Sequence, residues 1–128
     1  MVMTKTLLIV DDDECLCNVT KRFFSLMNTS LEIRTATSPL EALNLVISGG
    51  IDFILSDFMM PQMNGLDFLS ALRESGYDIP FIFLTCYDLE NIEQKARENG
   101  ALACFEKGCS VSVYYDILNL VNESPIHC

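Results

Sequence analysis

The stretch ILSDFMMPQMNG, residues 54–65, decides how this chain folds. A short apolar run leads into an ionisable aspartate, Asp57, and a turn carrying Pro61 and Gly65 follows at once. An unpaired carboxylate is costly in an apolar setting. Asp57 therefore either stands at a rim that water and partners reach, or is there for chemistry. The residues before it, IDFILS at 51–56, read as a strand, and Pro61 and Gly65 fix the backbone of the turn.

Outward from this strand the chain alternates. KTLLIV at 5–10 and IPFIFLT at 79–85 contain continuous apolar runs of strand length. LEIRTA at 31–36 sets Leu31, Ile33 and Thr35 against polar neighbours, and ALACF at 101–105 is a fifth strand. Between them lie helices. Over 14–27, Leu16, Val19, Phe23, Leu26 and Met27 recur at helical spacing. SPLEALNLVISGG carries full helix punctuation: Ser38 as N-cap, Pro39 at the first helical position, Glu41 closing a capping box, Gly49 or Gly50 at the end. Residues 65–73 place Leu66, Leu69 and Leu72 on one face, with Gly76 beyond the end. Asp88 caps a helix bearing Leu89, Ile92 and Ala96, closed by Gly100 after Lys95 and Arg97. Ser110 caps the last helix, whose Val111, Tyr114, Leu118 and Val121 form a stripe.

Five strands alternating with five helices imply right-handed crossovers and an α/β fold. The expectation is a five-stranded parallel sheet, doubly wound, with helices on both faces. The first, third and fourth strands are apolar almost throughout, as central strands covered on both sides must be. No linker or repeat interrupts the pattern, so residues 1–128 read as a single domain with no output domain attached.

Composition narrows the function. Eighteen acidic against eight basic residues give a net charge of −10, which repels a phosphate backbone and argues against direct nucleic-acid binding. The apolar runs are too short to span a bilayer, and acids interrupt the N-terminal run too soon for a signal peptide, so the chain reads as cytoplasmic without membrane insertion. The six cysteines (15, 17, 86, 104, 109 and 128) show no metal-ligand spacing, and His127 adds no partner for them. They read as reduced thiols acting as small hydrophobes; Cys15 and Cys17, on one helix, point to different sides, and Cys86 and Cys104 read as packing residues.

In an open α/β sheet, ligands bind at the carboxyl ends of strands where the winding reverses. The first strand ends in DDDE, the third in Asp57, the fourth in Thr85, and the fifth runs into FEKG with Lys107. Asp13 and Glu14 suit the positive start of a helix. Asp11 and Asp12 follow LLIV directly and lie at the strand's mouth. Beside Asp57 they make three carboxylates in a small space, where like charges ~4 Å apart repel by roughly 1 kcal/mol even in water. Such a cluster calls for a hard dication with oxygen ligands, and Mg²⁺ suits it. Three carboxylates, one Mg²⁺ and the Lys107 ammonium sum to zero charge.

Taken in order and spacing, LLIVDDDE, ILSDFMMPQMNG, FIFLT and FEKG resemble the receiver domain of bacterial response regulators, the CheY-like family with its flavodoxin-like (βα)5 topology. The likeness covers essentially the whole chain and implies a stand-alone receiver in two-component phosphorelay signalling. It implies that Asp57 is the phosphoacceptor for a sensor histidine kinase or a histidine phosphotransfer protein. It implies that Asp12, Asp57 and the backbone carbonyl of Met59 ligate Mg²⁺ (or Mn²⁺), with Asp11 acting mostly through water. Thr85 would hydrogen-bond the phosphoryl group and Lys107 would pair with it. Such a chain catalyses only its own phosphorylation and dephosphorylation and is no enzyme in the ordinary sense. Its output is a changed binding event or onward transfer, with an unidentified downstream protein meeting the face of the fourth helix, fifth strand and fifth helix, as a monomer or a weak phosphorylation-dependent dimer.

Some positions depart from the family's habit. Gly108 follows Lys107 where receivers commonly carry proline, and Cys104 stands where they carry a switching Tyr or Phe, a role then left absent or to Phe105 or Tyr87. Glu106 shares a strand face with Cys104 and adds charge there. Met59 and Tyr87, two residues after Asp57 and Thr85, stand where the family sets the lifetime of the acyl phosphate. Three other classes are weighed against this reading. A receiver-shaped interaction module that is never phosphorylated would not need the intact acid set. A Mg²⁺-dependent phosphatase with an aspartyl nucleophile would carry a D-x-D motif and a cap domain. A flavodoxin-like electron carrier would need a Gly- and Ser/Thr-rich phosphate loop where DDDE stands.

Overall fold

A computed structural model describes residues 4–27, 30–86, 89–107 and 111–123. Tyr87, Asp88, Gly108, Cys109, Ser110 and residues 124–128, including His127 and Cys128, lie outside the described residues, as does the side chain of Leu89. The chain runs β1 (Thr6–Val10), α1 (Glu14–Met27), β2 (Glu32–Ala36), α2 (Pro39–Ser48), β3 (Phe53–Ser56), α3 (Gly65–Glu74), β4 (Phe81–Thr85), α4 (Leu89–Glu98), β5 (Ala103–Glu106) and α5 (Val111–Glu123). All strand pairs are parallel, in the order β2-β1-β3-β4-β5.

Strand alternation divides the core in two. Leu8, Val10, Ile54, Phe81 and Phe83 face α2, α3 and α4, where Ala42, Val46, Phe68, Leu69, Leu72 and Ala96 meet them. Leu7, Ile9, Phe53, Leu55, Ile82 and Leu84 face α1 and α5, packing on Cys17, Phe24, Ile117, Leu118 and Val121. Every residue of β1, β3 and β4 is buried, as strands covered on both faces require.

Local punctuation follows the sequence closely. Ser38 is the N-cap of α2, its hydroxyl accepting from the Glu41 amide at 3.1 Å, while the Glu41 carboxylate accepts from the Thr37 amide at 3.2 Å. Gly49 ends that helix at φ 89°.

Helix α1 departs from expectation. Leu16, Val19 and Leu26 are not its inward stripe; they are 42%, 65% and 79% exposed, and Phe23 and Met27 are only half-buried. The buried face is Cys17, Thr20 and Phe24, one residue round the helix. The helix carries apolar side chains on two adjoining faces, and the one with the small Cys17 and Thr20 allows the closer approach to the sheet. On α5 the expected stripe is likewise shifted at its start: Val111 is exposed, Tyr114 half-buried, and Ile117 joins Leu118 and Val121 in the core.

Candidate functional site

The strand order reverses between β1 and β3, so the crevice a doubly wound sheet offers a ligand opens there. The ladder itself positions the acids. The Asp11 amide donates to Ala36 O at 3.1 Å and the Asp57 amide to Val10 O at 2.8 Å, extending the β1–β2 and β1–β3 pairings by one residue each. In the same way the Lys107 amide donates to Thr85 O at 2.8 Å, carrying the β4–β5 pairing up to the lysine.

Asp11, Asp12 and Asp57 converge: one carboxylate oxygen from each lies within 4.8 Å of the others. Asp11 is buried, Asp57 half-buried and Asp12 exposed, so the cluster is graded from interior to solvent. Lys107 spans two of them, with Nζ 2.7 Å from Asp11 Oδ2 and 3.4 Å from Asp57 Oδ2. The remaining oxygens are held by backbone donors. Asp11 Oδ1 accepts from the Asp13 amide at 3.0 Å and Asp57 Oδ1 from the Phe58 amide at 2.8 Å. Asp13 caps α1, its carboxylate accepting from the Leu16 amide at 3.2 Å, and with Glu14 it is exposed as expected.

Burial raises the Asp57 carboxyl above its ordinary value; Lys107 and the Phe58 amide oppose the rise and Asp11 adds to it. Burial pulls the Lys107 ammonium down, but its bonds and charges to Asp11 and Asp57 outweigh that and leave it raised. Thr85 ends β4 and is fully buried, while Met59 sits exposed two residues beyond Asp57. The site thus gathers Asp11, Asp12, Asp57 and Lys107 in direct reach, with Thr85 joined through the Lys107 amide. Three oxygen donors, one deep and one wet, form a donor set of the kind Mg²⁺ takes.

Two readings of the sequence need correction. Phe105 does not stand in for an aromatic at position 104: it packs on the α1–α5 side, while Cys104 packs on the opposite face. A one-residue step along a strand always reverses the face. Cys86 is exposed rather than a packing residue. It helps to line a cavity of about 250 Å³ that opens beside Asp57 and Lys107 and runs between Leu16, Thr20 and Tyr114. Nothing local in the sequence marks this cavity, because α1 and α5 form its walls from distant segments. Cys15 is exposed and Cys17 buried, on different sides of α1 as expected.

A parallel 2-1-3-4-5 sheet with three acids gathered at its switch point defines a doubly wound α/β domain with an acidic edge. Residues 7–119 match the family described as "Response regulator receiver domain". Response regulator SaeR of Staphylococcus aureus is 36% identical over 85 residues, a stretch covering 66% of this chain and 36% of that protein. The chemotaxis response regulator CheY4 of Vibrio cholerae is similar in structure, with TM-score 0.80 and 27% identity over 93% of this chain and 99% of that one. So is response regulator protein TrrA of Thermotoga maritima, solved in complex with Mg²⁺–BeF, with TM-score 0.79 and 25% identity over 91% and 98% of the two chains. The chain belongs to the response regulator receiver family and is a receiver domain of the two-component type; receiver domains as a class are phosphoacceptor signalling modules. Members of this family work with histidine kinases or phosphotransfer proteins, and typically bind Mg²⁺ in an acidic pocket. Among the described residues no helix is long and apolar enough to cross a membrane.

Proposed function

We propose that Asp57 accepts a phosphoryl group from a sensor histidine kinase or a histidine phosphotransfer protein. The observation that carries this is the convergence of three carboxylates within 4.8 Å, two of them bridged by the Lys107 ammonium. An Asp57 oxygen forms a bond to phosphorus as the donor's phosphorus–nitrogen bond breaks. The leaving imidazole nitrogen keeps the electron pair and takes up a proton from water, and the product is an acyl phosphate.

Asp12, Asp57 and the backbone carbonyl of Met59 would hold Mg²⁺, or Mn²⁺, directly, with Asp11 reaching it through water. Bound there, the dication supplies positive charge against the oxygens of the transferring group. Lys107 already stands 3.4 Å from Asp57 and pairs with the phosphoryl oxygens once they arrive. Thr85, enclosed at the end of β4, donates its hydroxyl to the same oxygens as the loop that carries it shifts to meet them. The signal leaves as changed binding at α4, β5 and α5, where Leu102, Glu106, Val111 and Tyr115 are exposed. The protein acts in the cytoplasm, as a monomer or a weak phosphorylation-dependent dimer.

A small acyl phosphate or phosphoramidate donor, added with and without Mg²⁺, tests the proposal by intact mass and peptide mapping. A single phosphoryl group on Asp57, dependent on Mg²⁺ and lost in Asp57→Asn, is the expected result. An unmodified Asp57 in the presence of Mg²⁺ and donor, or a phosphoryl group retained by Asp57→Asn, overturns it in favour of the unphosphorylated interaction module or a different acceptor.

A further inference from the structure

Phe58, the residue after the proposed phosphoacceptor, begins a line of rings in edge-on and tilted contact. It meets Phe83 with centroids 5.8 Å apart, Phe83 meets Phe81 at 4.9 Å, and Phe81 meets Phe68 of α3 at 5.8 Å, all steeply inclined. The last three are fully buried. Phe58 is tied to the site through its backbone: its amide donates to Asp57 Oδ1 at 2.8 Å, and its carbonyl accepts from the amide of Gly65, the first residue of α3. Gly65 leaves no slack in this contact. A Cβ there would lie 2.7 Å from the Asp57 carbonyl oxygen and 3.1 Å from Phe58 Cα, and would overlap the Phe83 ring.

The far end of the line is anchored to the turn between α4 and β5. The Leu102 amide donates to Phe81 O at 2.8 Å. Arg73 of α3 donates to the carbonyls of Tyr77, Ile79 and Gly100 at 2.9, 3.0 and 3.2 Å. On this face of the sheet β5 packs Cys104 into the same core, directly opposite Phe83 in the ladder.

We infer that Phe58 reads the state of Asp57 and passes it, through Phe83, Phe81 and α3, to the α4–β5 turn at Gly100–Leu102. This rests on the phosphoacceptor reading of Asp57. Phosphorylating an Asp57 oxygen removes the carboxylate charge from the group that the Phe58 amide now bonds, and a charge-assisted bond is roughly twice as strong as a neutral one. The peptide between residues 57 and 58 is then free to turn toward the new phosphoryl oxygens. Because Gly65 lies against that peptide and the Phe83 ring lies against Gly65 and the Phe58 ring, and close-packed interiors pass strain on rather than absorbing it, the displacement moves α3 and the ring line together. Leu102, exposed at the receiving end, presents the change to a partner. Phe58 is a positioning residue here; it touches no reacting atom.

Backbone amide exchange on the full chain, with and without Mg²⁺ and beryllofluoride, tests the route. In the wild type, exchange at Gly100–Leu102 changes by about fivefold, the low end of ordinary coupling between sites. In Phe58→Leu, which keeps the bulk and loses the ring, the beryllofluoride complex still forms at Asp57 but the change at 100–102 falls below twofold; Phe58→Trp restores it. An unaltered response in Phe58→Leu, or none at 100–102 in a wild type that binds beryllofluoride, overturns the inference alone. A wild type that binds no beryllofluoride overturns the phosphoacceptor reading instead. Should Phe58→Leu fail to fold, Phe58→Met is read by the same criterion.

Discussion

Replacing Asp57 by asparagine in metal-free buffer isolates what the acid cluster costs the fold. The side chain is 12% exposed, and carboxylate oxygens of Asp11 and Asp12 lie no farther than 4.8 Å away. At an effective dielectric of about 20, the buried Asp11 charge repels that of Asp57 by about 3.5 kcal/mol, and the exposed Asp12 adds about 1 kcal/mol in near-aqueous screening. Lys107, at 3.4 Å, attracts it by about 5 kcal/mol on the same scale. The charge terms nearly cancel, so desolvation decides, and it raises the carboxyl above its ordinary value. A carboxyl raised on folding binds its proton more readily in the folded state, so its ionisation weakens the fold above that pKa, the reverse of a salt-bridged carboxylate. Asp57→Asn is therefore expected to be more stable than wild type at pH 7, by about 1 kcal/mol on the scale of ordinary single substitutions, or a few °C in Tm. The difference shrinks as the pH falls through the folded pKa, is small by about pH 4, and vanishes only below the unfolded carboxyl's value of about 3.9, where wild-type Asp57 is protonated in both states. Paired thermal melts in EDTA from pH 7 down to 4 provide the assay. A variant less stable than wild type at pH 7, or a gain that persists unchanged at pH 4, refutes the balance drawn here.

Met59 has no amide or acid to orient water beside the acyl phosphate, so Met59→Asn is expected to speed dephosphorylation by about tenfold, a barrier change of about 1.4 kcal/mol; decay of the mass-tagged species measures it, and an unchanged or slower variant rejects the idea. Arg73→Met removes three bonds to the carbonyls of residues 77, 79 and 100 and is expected to lower stability by about 2–3 kcal/mol in urea unfolding. Lys5→Met removes the ammonium that bonds Val121 O at 2.6 Å and Asn122 O at 2.8 Å near the end of α5, for an expected loss of about 1 kcal/mol in the same assay.

The sheet was legible because each signal was local. LLIV, FILS and FIFLT are runs that only a strand covered on both faces would carry, and Ser38, Pro39 and Gly49 mark a helix within thirteen residues. The acids were legible for a related reason: a carboxylate ending such a strand has one place to go, the rim. Two classes of fact were not legible. Which stripe of α1 faces inward depends on how near that helix comes to strands far away in sequence, and two adjoining apolar stripes gave periodicity no means of choosing. The pairing of Lys107 with Asp11, 96 residues apart and 0.7 Å closer than its approach to Asp57, is set by the β4–β5 ladder that delivers the lysine and not by anything near either residue.

The two faces of the sheet differ most at the site itself. On the α3 side, Gly65, Phe58 and Phe83 touch with no room for a methyl group. On the α1–α5 side, a cavity of about 250 Å³ lies beside Asp57, lined by Leu16 and Thr20 of α1 and Tyr114 of α5. A group added to Asp57 therefore meets unequal resistance. Displacement toward the cavity can be taken up by side chains moving into free volume, whereas displacement toward α3 must move the elements packed there. Filling the cavity, by contrast, would remove the compliant side. The asymmetry in packing, and not the acid cluster alone, gives a charge change at one residue a direction in which to travel.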